Sequence, residues 1–124
     1  MTMLGKITLL GQPLSTNNLY LTRGGWYGRF MKKNAFALKQ SYIRQLRIQR
    51  NAKKPIETPV SIVVDIYYGN KREYDWDNVH KLSMDACNWI VWNDDKQIMK
   101  ATVEKKYDKA NPRLEIYIYE YDGV

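Results

Sequence analysis

Thr58-Pro59-Val60-Ser61-Ile62-Val63-Val64-Asp65-Ile66-Tyr67-Tyr68 is the stretch that decides the fold. Val60, Ile62, Val64, Ile66 and Tyr68 share one face of an extended chain, and Val63 and Tyr67 lie on the other. A strand apolar on both faces belongs in the centre of a sheet. Gly69-Asn70 ends it. Upstream, from about Asn34 to Arg50, Ala35, Leu38, Tyr42, Leu46 and Gln49 recur at helical spacing, with Ile43 widening the stripe and Lys39, Arg44, Arg47 and Arg50 elsewhere around it. This basic amphipathic helix ends near Asn51, and Pro55 prevents its continuation. Further upstream, Met3 to Leu10 reads as a buried strand closed by Gly11 and Pro13, and Leu14 to Tyr20 is turn-rich. Between that strand and the helix, Arg23-Gly24-Gly25-Trp26-Tyr27-Gly28-Arg29 has the glycine spacing of a flexible hairpin with basic and aromatic tips, suited to touching nucleic acid.

Downstream of the central strand the pattern predicts a second helix from about Asp77 to Trp89, with Asp77 as N-cap and Val79, Leu82, Ala86 and Trp89 or Ile90 inward. Beyond a Trp92-Asn93-Asp94-Asp95 turn, Gln97 to Tyr107 and Arg113 to Tyr121 read as two strands joined as a hairpin by Ala110-Asn111-Pro112. The order is β, hairpin loop, α, β, α, β, β: an α/β fold with two helices packed on a mixed sheet, expected to form one domain over residues 1–124.

Composition narrows the function. The 124 residues carry a formal charge of +7 and a globular share of apolar side chains, 44%, with ten Tyr and four Trp. The charge is divided along the chain: residues 1–56 hold eleven basic side chains and no carboxylate, while residues 57–124 hold nine basic and thirteen acidic ones. An uninterrupted basic half favours a polyanionic partner, because neutralising phosphates releases condensed counterions. The single cysteine, Cys87, makes neither an internal disulfide nor a zinc cage, and it reads as a small buried hydrophobe. The apolar run Ile7 to Leu10 is too short for a signal segment or a membrane span, so the expected compartment is the cytoplasm, in a cellular, phage or prophage setting.

The chemistry concentrates in Lys71-Arg72-Glu73-Tyr74-Asp75-Trp76-Asp77-Asn78-Val79-His80-Lys81 and, after the helix, Asp94-Asp95. Asp75 and Asp77 straddle a strand-to-helix junction and can point the same way. Hard oxygen donors with open water positions suit Mg²⁺, with Mn²⁺ as a substitute. Lys81, one helical turn past Asp77, is within reach of a phosphate or a leaving oxygen. The Asp94-Asp95 turn is positioned to close the site, with the choice between its two carboxylates open. Clustered carboxylates repel one another, and a cation resolves the conflict. Taken singly, each of these aspartates is better explained as a cap or a turn residue.

Asp75-x-Asp77-Asn78, Lys81 four positions past the second aspartate, then Asp85 and Asp94-Asp95-x-Gln97, resembles the RusA family of Holliday junction resolvases. Ile7-Thr8-Leu9, Pro13, Ser15, Asn17-Asn18 and Tyr20, and Leu114-Glu115 near the end, extend the similarity over nearly the whole chain. The resemblance implies a homodimeric, Mg²⁺-dependent endodeoxyribonuclease that binds four-way junctions and makes paired nicks, leaving 5′-phosphate and 3′-hydroxyl ends, in recombination and repair. Asp75, Asp77 and Asp95 fall on the family's metal-binding aspartates, with Asp94 the alternative third ligand, and Lys81 falls on its essential lysine. The family's arginine-rich run is thinner here, Lys71-Arg72-Glu73-Tyr74, and the segment between Asp85 and Asp94 is about one residue shorter and lacks the usual glycine.

Other residues complete the expectations. Arg23, Arg29, Lys32, Lys33, Arg44, Arg47 and Arg50, with Lys71 and Arg72 beside the carboxylates, form the expected DNA-contacting set, since helical surfaces normally mix signs and this half carries no acid. His80, the only histidine, is expected to be structural, and Trp76 to anchor the helix in the core. Asn17, Asn18 and Tyr20 are candidates to shape a loop near the site, although turn chemistry alone explains the two asparagines, and Asn78 serves either the helix start or a water on the metal. The competing functional class is a non-catalytic nucleic-acid-binding module built on the basic half with Trp26, Tyr27 and Tyr42. Membrane-surface binding is poorer, because the helix needs its apolar stripe for the core.

Overall fold

A computed structural model describes residues 2–15, 20–22, 29–70 and 76–123. Met3–Leu10 forms β1, Tyr20–Thr22 β2, Arg29–Met31 β3, Lys33–Arg50 α1, Val60–Tyr68 β4, Lys81–Cys87 α2, Ile98–Tyr107 β5 and Arg113–Glu120 β6. β1, β6, β4 and β5 lie side by side in one mixed sheet, and β2 and β3 pair antiparallel as the two arms of the expected hairpin, whose tip lies outside the described residues. The α/β class and the element order agree with the sequence pattern.

β4 takes the centre because it has apolar side chains for both faces and hydrogen-bonds a strand on each edge. It runs parallel to β5 and antiparallel to β6. The expected β5–β6 hairpin is therefore not formed: the two strands flank β4, and the 108–112 turn passes over its end. There the Asp108 N–H donates to the Tyr68 carbonyl at 2.9 Å. The turn comes so close to Gly69 that a Cβ there would lie 3.2 Å from Pro112 Cγ and 2.9 Å from Gln12 Oε1, which explains the glycine after the strand. Local turn signals gave the connection, but the demand of β4 for two neighbours decided the pairing.

Both helices cover one face of the sheet. Ala35, Tyr42 and Leu46 of α1, and Leu82, Ala86 and Cys87 of α2, pack with Val79 on Ile7, Leu9, Val60, Ile62, Val64, Ile66, Leu114, Ile116 and Ile118 in a single core. The opposite face is closed by a charged and aromatic layer. Arg113 bonds Glu115 at 2.6 Å and Asp108 at 2.8 Å and stacks on Tyr67 at 3.7 Å, while Tyr117 donates to Glu115 at 2.9 Å. Burial opposes ionisation of Glu115, but the bonds from Arg113 and Tyr117 outweigh it and hold the carboxyl below its usual range.

The β1 edge is closed by side chains. Gln49 accepts the Thr8 N–H at 2.8 Å and donates to the Thr8 carbonyl at 2.7 Å; Gln45 accepts the Leu10 N–H at 2.7 Å and donates to the Leu10 carbonyl at 3.1 Å. Two amides one helical turn apart thus meet alternate residues of an extended strand, as a neighbouring strand would. An open edge is a template for intermolecular pairing, and this one is blocked.

α1 ends as its sequence requires, with Asn51 in the left-handed region at φ 47° and its N–H on the Arg47 carbonyl. α2 is shorter than expected. It starts at Lys81, with His80 as the N-cap residue, so Asp77 is not the cap; Trp76 to Val79 form turns before it. It stops at Cys87, which leaves Ile90 packed on the core and turns Trp89 out to solvent.

Candidate metal and nucleic-acid site

The Asp94-Asp95 turn is built by a reciprocal cap. The Asp94 side chain accepts the Lys96 N–H at 2.9 Å, and the Gln97 side-chain Oε1 accepts the N–H groups of Asn93 and Asp94 at 2.9 and 3.0 Å. The Gln97 amide then donates to the Ile56 and Thr58 carbonyls at 2.8 and 3.1 Å, fastening the turn to the segment that enters β4. Gln97 is thus the residue that fixes the acidic turn. Its spacing from Asp94, three positions, is the sequence signature of such a box, although the sequence pattern used Gln97 only within the Asp94-Asp95-x-Gln97 motif.

Asp94 and Asp95 are consequently unequal. The Lys96 N–H, followed by a bond with Asp95, holds the Asp94 carboxyl below its usual range. Asp95 is pushed the other way, first by burial, then by its bond with Asp94 and by the negative charges of Asp94 and Asp85, with Lys81 opposing. Lys81 opens α2, half-exposed, and its ammonium lies 3.2 Å from Asp85 one turn later. The fold therefore brings Lys81, Asp85, Asp94 and Asp95 to one place, at the N-terminal part of α2 and the turn before β5. Asp85 belongs to this cluster, although the sequence reading used it only as part of a motif.

Asp77 is exposed in the turn before α2, where its charge acts on His80. Lys81 is not a helical turn beyond it, since the helix begins only at Lys81. Among the described residues no three His, Cys, Asp or Glu side chains converge as a metal cage. Asp75, Lys71, Arg72 and Arg23 lie outside the described residues, as does the side chain of Arg29. The donor set nevertheless fits a hard divalent ion: it is all carboxylate, and Asp95 sits among like charges that a cation would offset.

His80 has the structural role expected of it. Its Nε2 bonds the Trp76 carbonyl, tying the turn together, and burial lowers its pKa against the opposing effects of that bond and of Asp77. Trp76 does not anchor the helix. It is 58% exposed, and Val79, 2% exposed, fills the core position instead. Trp76 forms one wall of an apolar groove of about 240 Å³ that also includes Ile62, His80, Met84 and Val103.

Of the basic residues on and beside α1, Lys33, Arg44 and Arg47 are exposed and Lys32 is half-buried. Arg50 departs from expectation. It is only 8% exposed and donates to the Lys54 carbonyl at 2.7 Å, so its first task is to bind the chain leaving α1.

No helix among the described residues is long and apolar enough to cross a membrane. No curated protein matches the chain significantly. The family model of endodeoxyribonuclease RusA matches residues 11–119, and nucleases of that family use a divalent metal. With the four-stranded mixed sheet, two helices and the match over nearly its full length, the chain belongs to the RusA family of endodeoxyribonucleases, enzymes that act on Holliday junctions.

Proposed function

We propose that this chain is a Mg²⁺-dependent, structure-selective endonuclease that resolves four-way DNA junctions by paired cleavage, in recombination and repair. The observation that carries this reading is the gathering of Asp95 with Asp94, Asp85 and Lys81, at the N-terminal part of α2 and the turn before β5. In this reading Asp75, Asp77 and Asp95 hold the ion, and Asp94, committed to its turn, is the poorer ligand. When bound, the ion neutralises charge on the scissile phosphate and favours deprotonation of the attacking water. Water adds to phosphorus and the bond to the 3′ oxygen breaks, leaving a 5′-phosphate and, once that oxygen gains a proton, a 3′-hydroxyl. Lys81, exchanging its pairing with Asp85 for the phosphate, offsets the growing negative charge. Arg23, Arg29, Lys32, Lys33, Arg44, Arg47, Lys71 and Arg72 supply salt-dependent attraction to the DNA. Two coordinated cuts on a two-fold substrate call for two copies of the chain, so we infer a homodimer.

The test is cleavage of a synthetic four-way junction beside a linear duplex, with and without Mg²⁺, for the wild type and Asp75→Asn. Mg²⁺-dependent nicking of the junction alone, with binding but no cutting by the variant, supports the reading. Junction binding with no nicking under any metal leaves a non-catalytic binding module in its place.

A further inference from the structure

Just past the C-terminal end of α2, Trp89 stands beside the end of α1. It is 74% exposed, and its φ of 69° puts a bulky residue in the left-handed region, which such side chains rarely enter. The conformation is held from both sides: the Trp89 N–H donates to the Trp92 carbonyl at 2.6 Å, and Asn88 bridges to Trp92. The core is completed without this ring, by Ile90 and the fully buried Trp92. A large aromatic surface is thus held in solvent by its backbone.

Its surroundings are cationic. A pocket of about 400 Å³ is lined by Trp89, Arg47, Arg50, Ala52, Lys53 and Ile90, with three basic side chains and no carboxylate. One of the three, Arg50, is more than nine-tenths buried; one arm of its guanidinium is bonded to the Lys54 carbonyl, while its Nε has no hydrogen-bond partner among the described residues. A buried donor left unpaired is costly unless something supplies an acceptor. Phosphate oxygens are such acceptors, and they suit a site with three cations.

We propose that this pocket is a second DNA subsite, in which Arg47, Arg50 and Lys53 take a backbone phosphate and the Trp89 ring stacks on an unpaired base next to it. Stacking on an aromatic platform beside a basic groove is how unpaired strands are held without regard to sequence. A branched substrate offers unpaired or easily unstacked bases at its crossing, whereas continuous duplex does not. The inference rests on the nuclease reading for its substrate, but not on metal or cleavage for its test.

The experiment is binding in EDTA, with two probes: a single-stranded oligothymidine and a four-way junction carrying 2-aminopurine at successive positions near the crossing. Expected are quenching at one or two junction positions by the wild type, loss of that quenching in Trp89→Ala, and roughly tenfold weaker binding of both probes. Trp89→Phe should restore most of the quenching. Lys53→Ala should reduce the salt dependence of binding by about one phosphate contact. Unchanged affinity and unchanged quenching in a folded Trp89→Ala, checked by circular dichroism, would overturn the proposal. Because binding is read without metal, stacking here together with no nicking in the separate Mg²⁺ cleavage assay would refute the nuclease and keep the subsite.

Discussion

The Lys81 ammonium and the Asp85 carboxylate, 3.2 Å apart on successive turns of α2, both act on Asp95, and with opposite signs. Burial and Asp94 do most to raise the Asp95 pKa; Asp85 adds to the rise and Lys81 opposes it. At half exposure the ion pair adds little to stability. Its position implies instead a role in tuning the acidic turn and holding Lys81 until phosphate arrives.

Replacing Asp85 with Asn should therefore leave the fold intact and impair cleavage. We expect a fall of about 10- to 100-fold in the single-turnover rate, the usual effect of losing a group that supports a metal ligand. The apparent Mg²⁺ requirement should rise, because one negative charge leaves the site, while junction binding in EDTA should hold or improve. Single-turnover cleavage across a Mg²⁺ titration checks this, and a wild-type rate with a wild-type Mg²⁺ requirement would count against the role.

Asp94 and Asp95 should separate when each is changed. Asp95→Asn is expected to cost at least about a hundredfold in cleavage with stability unchanged, as for a group that meets the reaction's charge directly. Asp94→Ala removes an acceptor from a backbone N–H and opens the cap, so the urea midpoint should fall and cleavage follow the loosened turn. Cleavage and urea denaturation measured on both variants decide the case; the reverse pattern would make Asp94 the ligand.

The fold was legible where one-dimensional periodicity matches burial. β1, α1 and β4 stand close to where alternation and helical spacing put them, since each buries one clear apolar set. The β5–β6 pairing was not legible, because a turn reports only that the chain reverses, not whether another strand lies between its arms. The start of α2 was misjudged for a similar reason: Asp77 and Val79 fit a helix by spacing, but His80 closes a separate turn onto Trp76, and the helix begins after it. In the candidate site, the gathering of Lys81 with Asp95 followed the motif, whereas the parts played by Asp85 and Gln97 required the third dimension.

The glutamine seal on β1 should matter for solubility more than for stability. Converting Gln45 and Gln49 to Ala removes four bonds between side chain and strand, each at a partly hydrated edge where water takes over much of the loss. We expect a cost of about 1–2 kcal/mol in urea unfolding. The freed edge should also self-associate, visible as concentration-dependent light scattering absent from the wild type. A variant that is destabilised yet stays disperse at high concentration would show that the amides serve packing alone.

Alkaline pH should destabilise the protein through two buried groups on facing helices. Burial pushes the Cys87 thiol up to about 12 from an ordinary 9.0, and burial, reinforced by Cys87, pushes the Tyr42 hydroxyl up as well. Both are neutral when protonated, so the folded state keeps protons that the unfolded state releases. Their contribution is thus fully present below about pH 9, and from there stability should fall by about 1.4 kcal/mol per pH unit for the thiol alone. The fall should steepen above pH 10 as the unfolded tyrosine ionises, and should flatten near pH 12, where the folded thiol itself titrates. Urea unfolding between pH 8 and 10.5 reads the slope, and Cys87→Ala should abolish its first part while lowering stability at every pH by the cavity it leaves. In the same range the native thiol should resist alkylation until the chain unfolds, so rapid labelling of folded protein at pH 8 would contradict the burial on which the slope depends.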